Sequence, residues 1–392
     1  MNTVYLNTLG ITNALGRDRE SVYSGLLAGR TDGMVARGGW VPGRTVTVGE
    51  VTTDARNVSH VPTPYCSRNN RLLEAAVRQI EPAIRATIRR FGAQRVAIVL
   101  GTSTSGIAEG EEAIRWHQAR GRLPETYDYR QQELSGPSEY LRRRLGTEGP
   151  AWTVSTACTS SAKALASARR LLRMGLCDAV VTGGVDTLCG LTLNGFTALE
   201  SVSSALCNPF SASRDGINIG EGAAVFLMTR EPGPVALLGV GESSDAYHIS
   251  GPDPEGTGAR LAIREALEDA GLDAGEIDYI NLHGTGTVQN DAMEARVVDE
   301  LFAHGPAVSS TKPLVGHTLG AAGATEAAFC WMLLQAAATQ RPPHVWDGRA
   351  DPDIPRLNFS HSEMRAAPCR HALSNSFAFG GNNACLVMGK TA

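Results

Sequence analysis

Motifs along this chain recur in pairs at almost one spacing. Cys158 precedes a predicted helix from Ser161 to Met174, and His317 precedes another from about Ala321 to Thr339, an offset of 159 residues. Gly-Glu-Gly-Ala-Ala-Val-Phe-Leu-Met at 220–228 and Gly-Gly-Asn-Asn-Ala-Cys-Leu-Val-Met at 380–388 are offset by 160. Two unrelated motif pairs with one offset identify a duplicated unit, which restricts the chain to architectures with two similar halves. Local patterns agree. In the first half an amphipathic run carrying Leu73, Val77, Ile80, Ile84 and Ile88 stops near Gly92, with Pro82 inside it, and the apolar strand Val96 to Leu100 leads into Gly101-Thr102-Ser103-Thr104. In the second half a predicted helix from about Ala259 stops at Gly271, and the strand Tyr279 to Leu282 leads into His283-Gly284-Thr285-Gly286-Thr287. Strands alternating with helices give an α/β fold. The halves are 1–230 and 235–392, with Arg-Glu-Pro-Gly-Pro at 230–234 as the seam. The first half takes longer to reach its helix after Gly101 than the second does after Gly284. That places an insertion within about 107–150, where loops beside a site cover it or form a partner surface.

The 392 residues, 42% of them hydrophobic, suffice for a sizeable core without staples. Eight cysteines form no Cys-x-x-Cys pair and no ligand rhythm with the nine histidines, so neither disulfides nor a bound metal is expected. A net charge of −4 gives no basic field for nucleic acid. The N-terminus carries no signal-like run and no stretch has bilayer length, so the expected location is cytoplasmic, without membrane insertion. Arg68, Arg71, Arg78, Arg85, Arg89, Arg90 and Arg95 form either a local basic patch for an acidic partner or an ordinary solvated helix face.

Cys158 sits in Val-Ser-Thr-Ala-Cys-Thr-Ser-Ser, at the start of a helix whose unpaired N–H groups and dipole favour thiolate over thiol. A buried inert cysteine is the commoner use of this residue. The surrounding Ser155, Thr156, Thr159, Ser160 and Ser161 supply polar atoms that an inert core position would not need, which favours a nucleophile.

The motifs then combine. Cys158 in Thr-Ala-Cys, His283 in His-Gly-Thr-x-Thr, Lys312 and His317 in Thr-Lys-x-x-x-Gly-His, and Phe377-Ala-Phe-Gly-Gly-Asn-Asn together resemble the β-ketoacyl-acyl-carrier-protein synthases with a Cys-His-His centre. Within them the chain looks most like the ketosynthases of aryl-polyene clusters, on Gly-Thr-Ser-Thr-Ser-Gly-Ile (101–107), Ser-Arg-Asn-Asn-Arg-Leu-Leu (67–73) and Asn290-Asp291. The resemblance implies a thiolase-like fold, two α/β halves in a five-layered αβαβα core. It implies decarboxylative condensation of a Cys-bound acyl group with malonyl-carrier protein to a 3-oxoacyl product, in fatty-acid or polyene elongation. It also implies roles: Cys158 as nucleophile, the backbone N–H groups of Cys158 and Phe379 as oxyanion hole, His283 and His317 as donors to the malonyl thioester carbonyl, Lys312 and Glu326 as the supporting charges, and the Phe379 ring as a gate.

Further expectations attach to it. Thr285 and Thr287 would hydrogen-bond a phosphopantetheine arm, or satisfy backbone in a tight turn. Thr104 would line the acyl pocket, and Arg68 and Arg71 would face an acidic acyl carrier protein. The chain needs no cofactor of its own, because the carrier protein supplies the phosphopantetheine. Asn382 stands where relatives commonly have threonine. A thiolase would need a second cysteine in Cys-x-Gly, which Cys385-Leu386-Val387 lacks. An accessory chain-length factor would lack the nucleophile. The chain could act as a homodimer or pair with a chain-length-factor-like paralogue.

Overall fold

The structure is a computed structural model that describes residues 3–52, 61–336 and 339–391. One ten-stranded sheet runs through it. From one edge the strands are Ala307–Ser309, Tyr279–Asn281, His371–Phe377, Asn382–Lys390, Val235–Ser244, Tyr5–Asn13, Gly222–Thr229, Ala179–Asp186, Val96–Gly101 and Ala151–Val154. The first five belong to the C-terminal half and the last five to the N-terminal half. Numbered within its own half, each set has the order 3-2-4-5-1, with the first three neighbours parallel and the remaining pairs antiparallel. The two sets join where Tyr5 lies opposite Ala236 and Leu6 opposite Val235, with Leu237 N–H donating to Val4 O at 3.0 Å. The duplication in the sequence is therefore a duplication of topology, and the seam at 230–234 is the link between Gly222–Thr229 and Val235–Ser244.

Helices complete five layers. Ser160–Arg173 and Ala322–Gln335 lie between the two halves of the sheet and against each other, Arg68–Phe91 with Gly136–Leu145 covers the outer face of the first half, and Thr257–Ala270 with Val288–Leu301 flanks the second. The apolar groups follow this order. Leu165, Leu172, Phe329 and Trp331 fill the middle, Leu73, Val77 and Ile84 pack under the first outer layer, and Ile263, Leu267 and Val298 under the second. Ala322–Gln335 is buried all round from Ala322 to Leu334 and almost wholly apolar, Glu326 being its one charged residue. It ends earlier than the expected Thr339, and residues 337–338 lie outside the described set. Arg68–Phe91 continues unbroken through Pro82 to its cap at Gly92.

The crossover from Gly101 to Ala151 holds two helices, Ile107–Arg120 and Gly136–Leu145, whereas that from Asn281 to Ala307 holds one, Val288–Leu301. The extra material thus falls between 107 and 150. The sheet's two outer edges differ as well. Val308 on the second-half edge donates to Asn358 O and accepts from the Ser360 N–H, so a following segment covers that edge. Ala151–Val154 is the other edge and pairs on one side only, with Val96–Gly101. No helix of the described residues is long and apolar enough to cross a membrane.

Candidate active site

The chemistry gathers where the two central helices begin. Cys158 ends a tight turn after Ala151–Val154, and Ala157 before it has φ +52, a left-handed conformation that costs a non-glycine residue roughly 1–2 kcal/mol. The neighbouring hydroxyls brace that turn. Thr156 N–H donates to Ser160 Oγ at 2.9 Å, and Thr159 Oγ1 donates to Thr156 O at 2.7 Å. Ser161 Oγ accepts from the Ala324 N–H of the partner helix at 2.8 Å. The polar atoms read in the sequence as a mark of function hold the cysteine's backbone in place.

His317 Nε2 lies 2.9 Å from Cys158 Sγ. Its Nδ1 accepts from the Leu319 N–H at 3.2 Å, which assigns the ring proton to Nε2. The His283 ring stands edge-on to it, centroids 5.3 Å apart at 84°. His283 Nδ1 lies 3.3 Å from Lys312 Nζ, which also donates to His283 O and, at 2.6 Å, to Glu326 Oε1. Since an ammonium only donates, His283 likewise carries its proton on Nε2. Burial lowers both histidines well below the usual imidazole range, and the Lys312 charge lowers them further, so both rings are neutral donors. Lys312 and Glu326 are a buried pair rather than the helix-end lysine and surface glutamate such residues usually are.

The thiol departs from expectation. Burial pushes Cys158 up to about 12, against the pull of Lys312 and of the Phe379 and Cys158 N–H groups that point at Sγ. Desolvation outweighs the helix start, and the resting group is a thiol. Cys158, His283 and His317 are the one cluster of potential metal ligands among the described residues, their atoms within 4.8 Å of one another. The protonated thiol and the ammonium beside His283 oppose a cation there.

Two carboxylates shape the His283 loop, Asp291, noted in the sequence only as part of a motif, and Glu294, which the sequence reading did not single out. Glu294 is buried and accepts the His283 N–H at 2.8 Å, the Gly284 N–H at 2.7 Å and Asn375 Nδ2 at 3.0 Å. Asp291 accepts from Thr285 N–H at 3.0 Å and from Phe210 N–H at 2.8 Å. The signal was present as acidic residues three apart at the start of Val288–Leu301, which put both carboxylates on the face toward the preceding loop. Gly284 has φ +37 and packs where a Cβ would meet Ser310 and the Phe210 ring.

A cavity of about 360 Å³ opens onto these groups, lined among others by Cys158, His283, His317, Phe196, Phe377 and Phe379. Thr285 and Thr287 also line it, their hydroxyls 2.9 Å apart. The Phe379 ring leans on Phe196, centroids 5.3 Å apart. Two expectations are corrected. Thr104 does not line this cavity. It is fully buried, and its hydroxyl donates to the buried Asp186 at 2.7 Å, a carboxylate that also receives Thr102 Oγ1, the Ser103 and Thr104 N–H groups and, at 3.2 Å, the Ala321 N–H. Arg68 is not free for a carrier protein. Its guanidinium grips the buried Glu221, with Nε 2.8 Å from Oε2, and donates to Val51 O. Arg71 is half-buried with Nη2 3.5 Å from Cys66 Sγ, in a separate groove with Glu109 and Glu112.

Comparison with known proteins decides the family. The model "Beta-ketoacyl synthase, N-terminal domain" matches residues 66–232, and "Beta-ketoacyl synthase, C-terminal domain" matches 235–345. The chain is a β-ketoacyl synthase. It belongs to the condensing acyltransferases of the 3-oxoacyl-carrier-protein synthase type, with their thiolase-like fold. The chain is similar to Nodulation protein E of Rhizobium meliloti, 34% identical over 310 residues, which are 76% of this chain and 75% of that protein. It is 33% identical over 263 residues to 3-oxoacyl-[acyl-carrier-protein] synthase 2 of Staphylococcus aureus, 63% of each chain. Among solved structures, "Ketosynthase (ApeO) in Complex with its Chain Length Factor (ApeC) from Xenorhabdus doucetiae" matches with TM-score 0.94 and 46% identity, covering 100% of this synthase and 98% of that chain. "The ishigamide ketosynthase/chain length factor" matches with TM-score 0.89 and 29% identity over all of both chains.

Proposed function

We propose that this synthase elongates an aryl-polyene chain on an acyl carrier protein, with Cys158 as the acyl acceptor and a chain-length-factor-like paralogue as its partner. The observation that carries the reading is the pair of neutral imidazoles presenting Nε2–H beside a thiol in one cavity. Sγ attacks the acyl carbonyl of the carrier thioester, and the oxyanion that forms sits between the Cys158 and Phe379 N–H groups. The thioester bond breaks, the acyl group stays on Sγ, and the thiol proton leaves on the phosphopantetheine sulfur. Malonyl-carrier protein then enters. Carbon dioxide departs, and the negative charge moves to the thioester oxygen, where the Nε2–H groups of His283 and His317 receive it. The enolate carbon attacks the acyl carbonyl, the C–S bond to Cys158 breaks, and the released thiolate takes a proton from solvent. Lys312, paired with Glu326, holds His283 in its donor tautomer. Thr285 and Thr287 face the entering arm, and the carrier protein brings the phosphopantetheine, so the chain itself carries no cofactor.

The partner is supported by the open edge. Ala151–Val154 pairs on one side only, while exposed Ile114, Leu123, Tyr129, Leu134 and Leu191 lie in or beside the extra crossover. A second thiolase-fold chain would cover both features. The likeness to a ketosynthase solved with its chain length factor favours a paralogue over a second identical copy. The test is intact-protein mass spectrometry of the chain with acyl- and malonyl-carrier proteins, with and without the paralogue and beside Cys158→Ala. Acylation at Cys158 followed by a 3-oxoacyl product supports the reading. Absence of acylation even with the paralogue present would leave this chain as the accessory subunit.

A further inference from the structure

The two N–H groups that aim at Cys158 Sγ come from opposite halves of the chain, so something must set their separation. The Cys158 N–H belongs to the start of Ser160–Arg173, and the Phe379 N–H to a turn at the start of Asn382–Lys390. That turn is closed by its own backbone, Ala378 N–H donating to Asn382 O at 2.7 Å and Gly381 N–H to Ala378 O at 3.1 Å. Gly380 and Gly381 have φ of +79 and +72, so its backbone takes a conformation that side chains resist. Gly380 N–H donates to Ile249 O, and Gly381 O accepts from the Asp245 N–H, so these bonds tie the turn to another loop and not to the helix of the nucleophile.

Between that helix and the segment 378–390, one hydrogen bond is present among the described residues besides those at Sγ itself. Lys163 Nζ donates to Asn382 Oδ1 at 3.0 Å. Lys163 stands one turn into the helix from Cys158, and Asn382 three residues after Phe379. The lysine is half-buried and makes no salt bridge among the described residues, and its burial lowers its proton affinity. The Glu242 charge offsets part of that cost, and the hydrogen bond itself goes to a neutral amide oxygen.

We infer that Lys163 and Asn382 form a latch that fixes the Phe379 N–H against the Cys158 N–H, making Lys163 a positioning residue for the oxyanion hole. The inference rests on Cys158 being the acyl acceptor. It also gives a use to the asparagine that stands where relatives commonly have threonine.

The test combines a measurement that needs no catalysis with one that does. Lys163→Met and Asn382→Leu should each raise amide exchange in the peptide covering 377–383 about tenfold, and the double variant no further, because either change opens the same latch. Acyl transfer to Cys158 from a hexanoyl N-acetylcysteamine thioester, followed by intact mass, should fall about tenfold in maximal rate with little change in half-saturating concentration. Alkylation of Cys158 by iodoacetamide, which forms no oxyanion, should stay within twofold. Lys163→Arg and Asn382→Asp, which both preserve the bond, should stay near wild type. Unchanged exchange at 377–383, additive effects in the double variant, or equal losses in acylation and alkylation would each overturn the latch. Failure of the wild-type chain to acylate would instead overturn the role of Cys158, and the exchange arm would still decide whether the latch exists.

Discussion

The two halves share one topology and divide the chemistry between them. In the first, the loop before the central helix holds Cys158 and the sheet edge is bare. In the second, the equivalent loop holds His317, the histidine loop is clamped by Glu294 and Asp291, and the edge is covered by 358–360. The second half is the more buried and pre-set of the two, with His283, His317, Lys312 and Glu326 all shielded from solvent. The difference teaches that the duplicated scaffold fixes position, while burial and partner charges decide whether a position becomes nucleophile or donor.

The sharpest break of this division is Cys158→Ala, which should abolish acylation, a loss of roughly 10³-fold or more by intact mass, while leaving the fold intact. Next is the buried pair of the second half. Lys312→Met strands the Glu326 charge and should cost about 3–5 kcal/mol in denaturant unfolding, with condensation lost. Lys312→Met combined with Glu326→Leu should recover stability but not activity, which separates the structural task of the pair from its catalytic one.

Acidity offers a third test. His283 and His317 have depressed proton affinities in the fold, and His344, buried between Ser310 N–H and Pro209 O, is pulled down to about 4. Between that value and 6.5 the unfolded chain binds protons that the folded chain refuses. The stability that these histidines contribute is therefore complete above about 6.5 and falls as pH drops through the window. His344 alone accounts for roughly 3 kcal/mol of that fall, and His344→Gln should flatten the decline in Tm between pH 6.5 and 4. On the first-half side, a thiol pushed up to about 12 should show iodoacetamide alkylation rising about tenfold per pH unit from 7 to 10, with no plateau near neutrality.

The smallest effect concerns Arg68. Arg68→Ala should cost about 2 kcal/mol through the loss of charge-assisted bonds to Glu221 and leave the half-saturating carrier concentration within twofold. A large rise in that concentration without a stability change would restore Arg68 to the carrier surface.

Local patterns in the sequence located the strand Val96–Gly101, the helix from Ser160 and the stop at Gly92, because apolar periodicity and glycine act over a few residues. The repeat spacing located the duplication for the same reason, as a comparison of strings. Arg68 was misread because Glu221 lies 153 residues away in the chain, and Thr104 because Asp186 lies 82 away. Long-range pairing of buried charges leaves no periodic trace. The Cys158 thiol was misread because a helix start is visible in sequence, whereas the desolvation that outweighs it depends on everything packed above it.

The contact between Cys158 and His317 joins two equivalent positions of the repeat. In an ancestor assembled from two identical copies, that contact would bring like against like, thiol to thiol or imidazole to imidazole. With both positions in one chain, each carries its own residue, and the same contact sets a nucleophile against its proton donor.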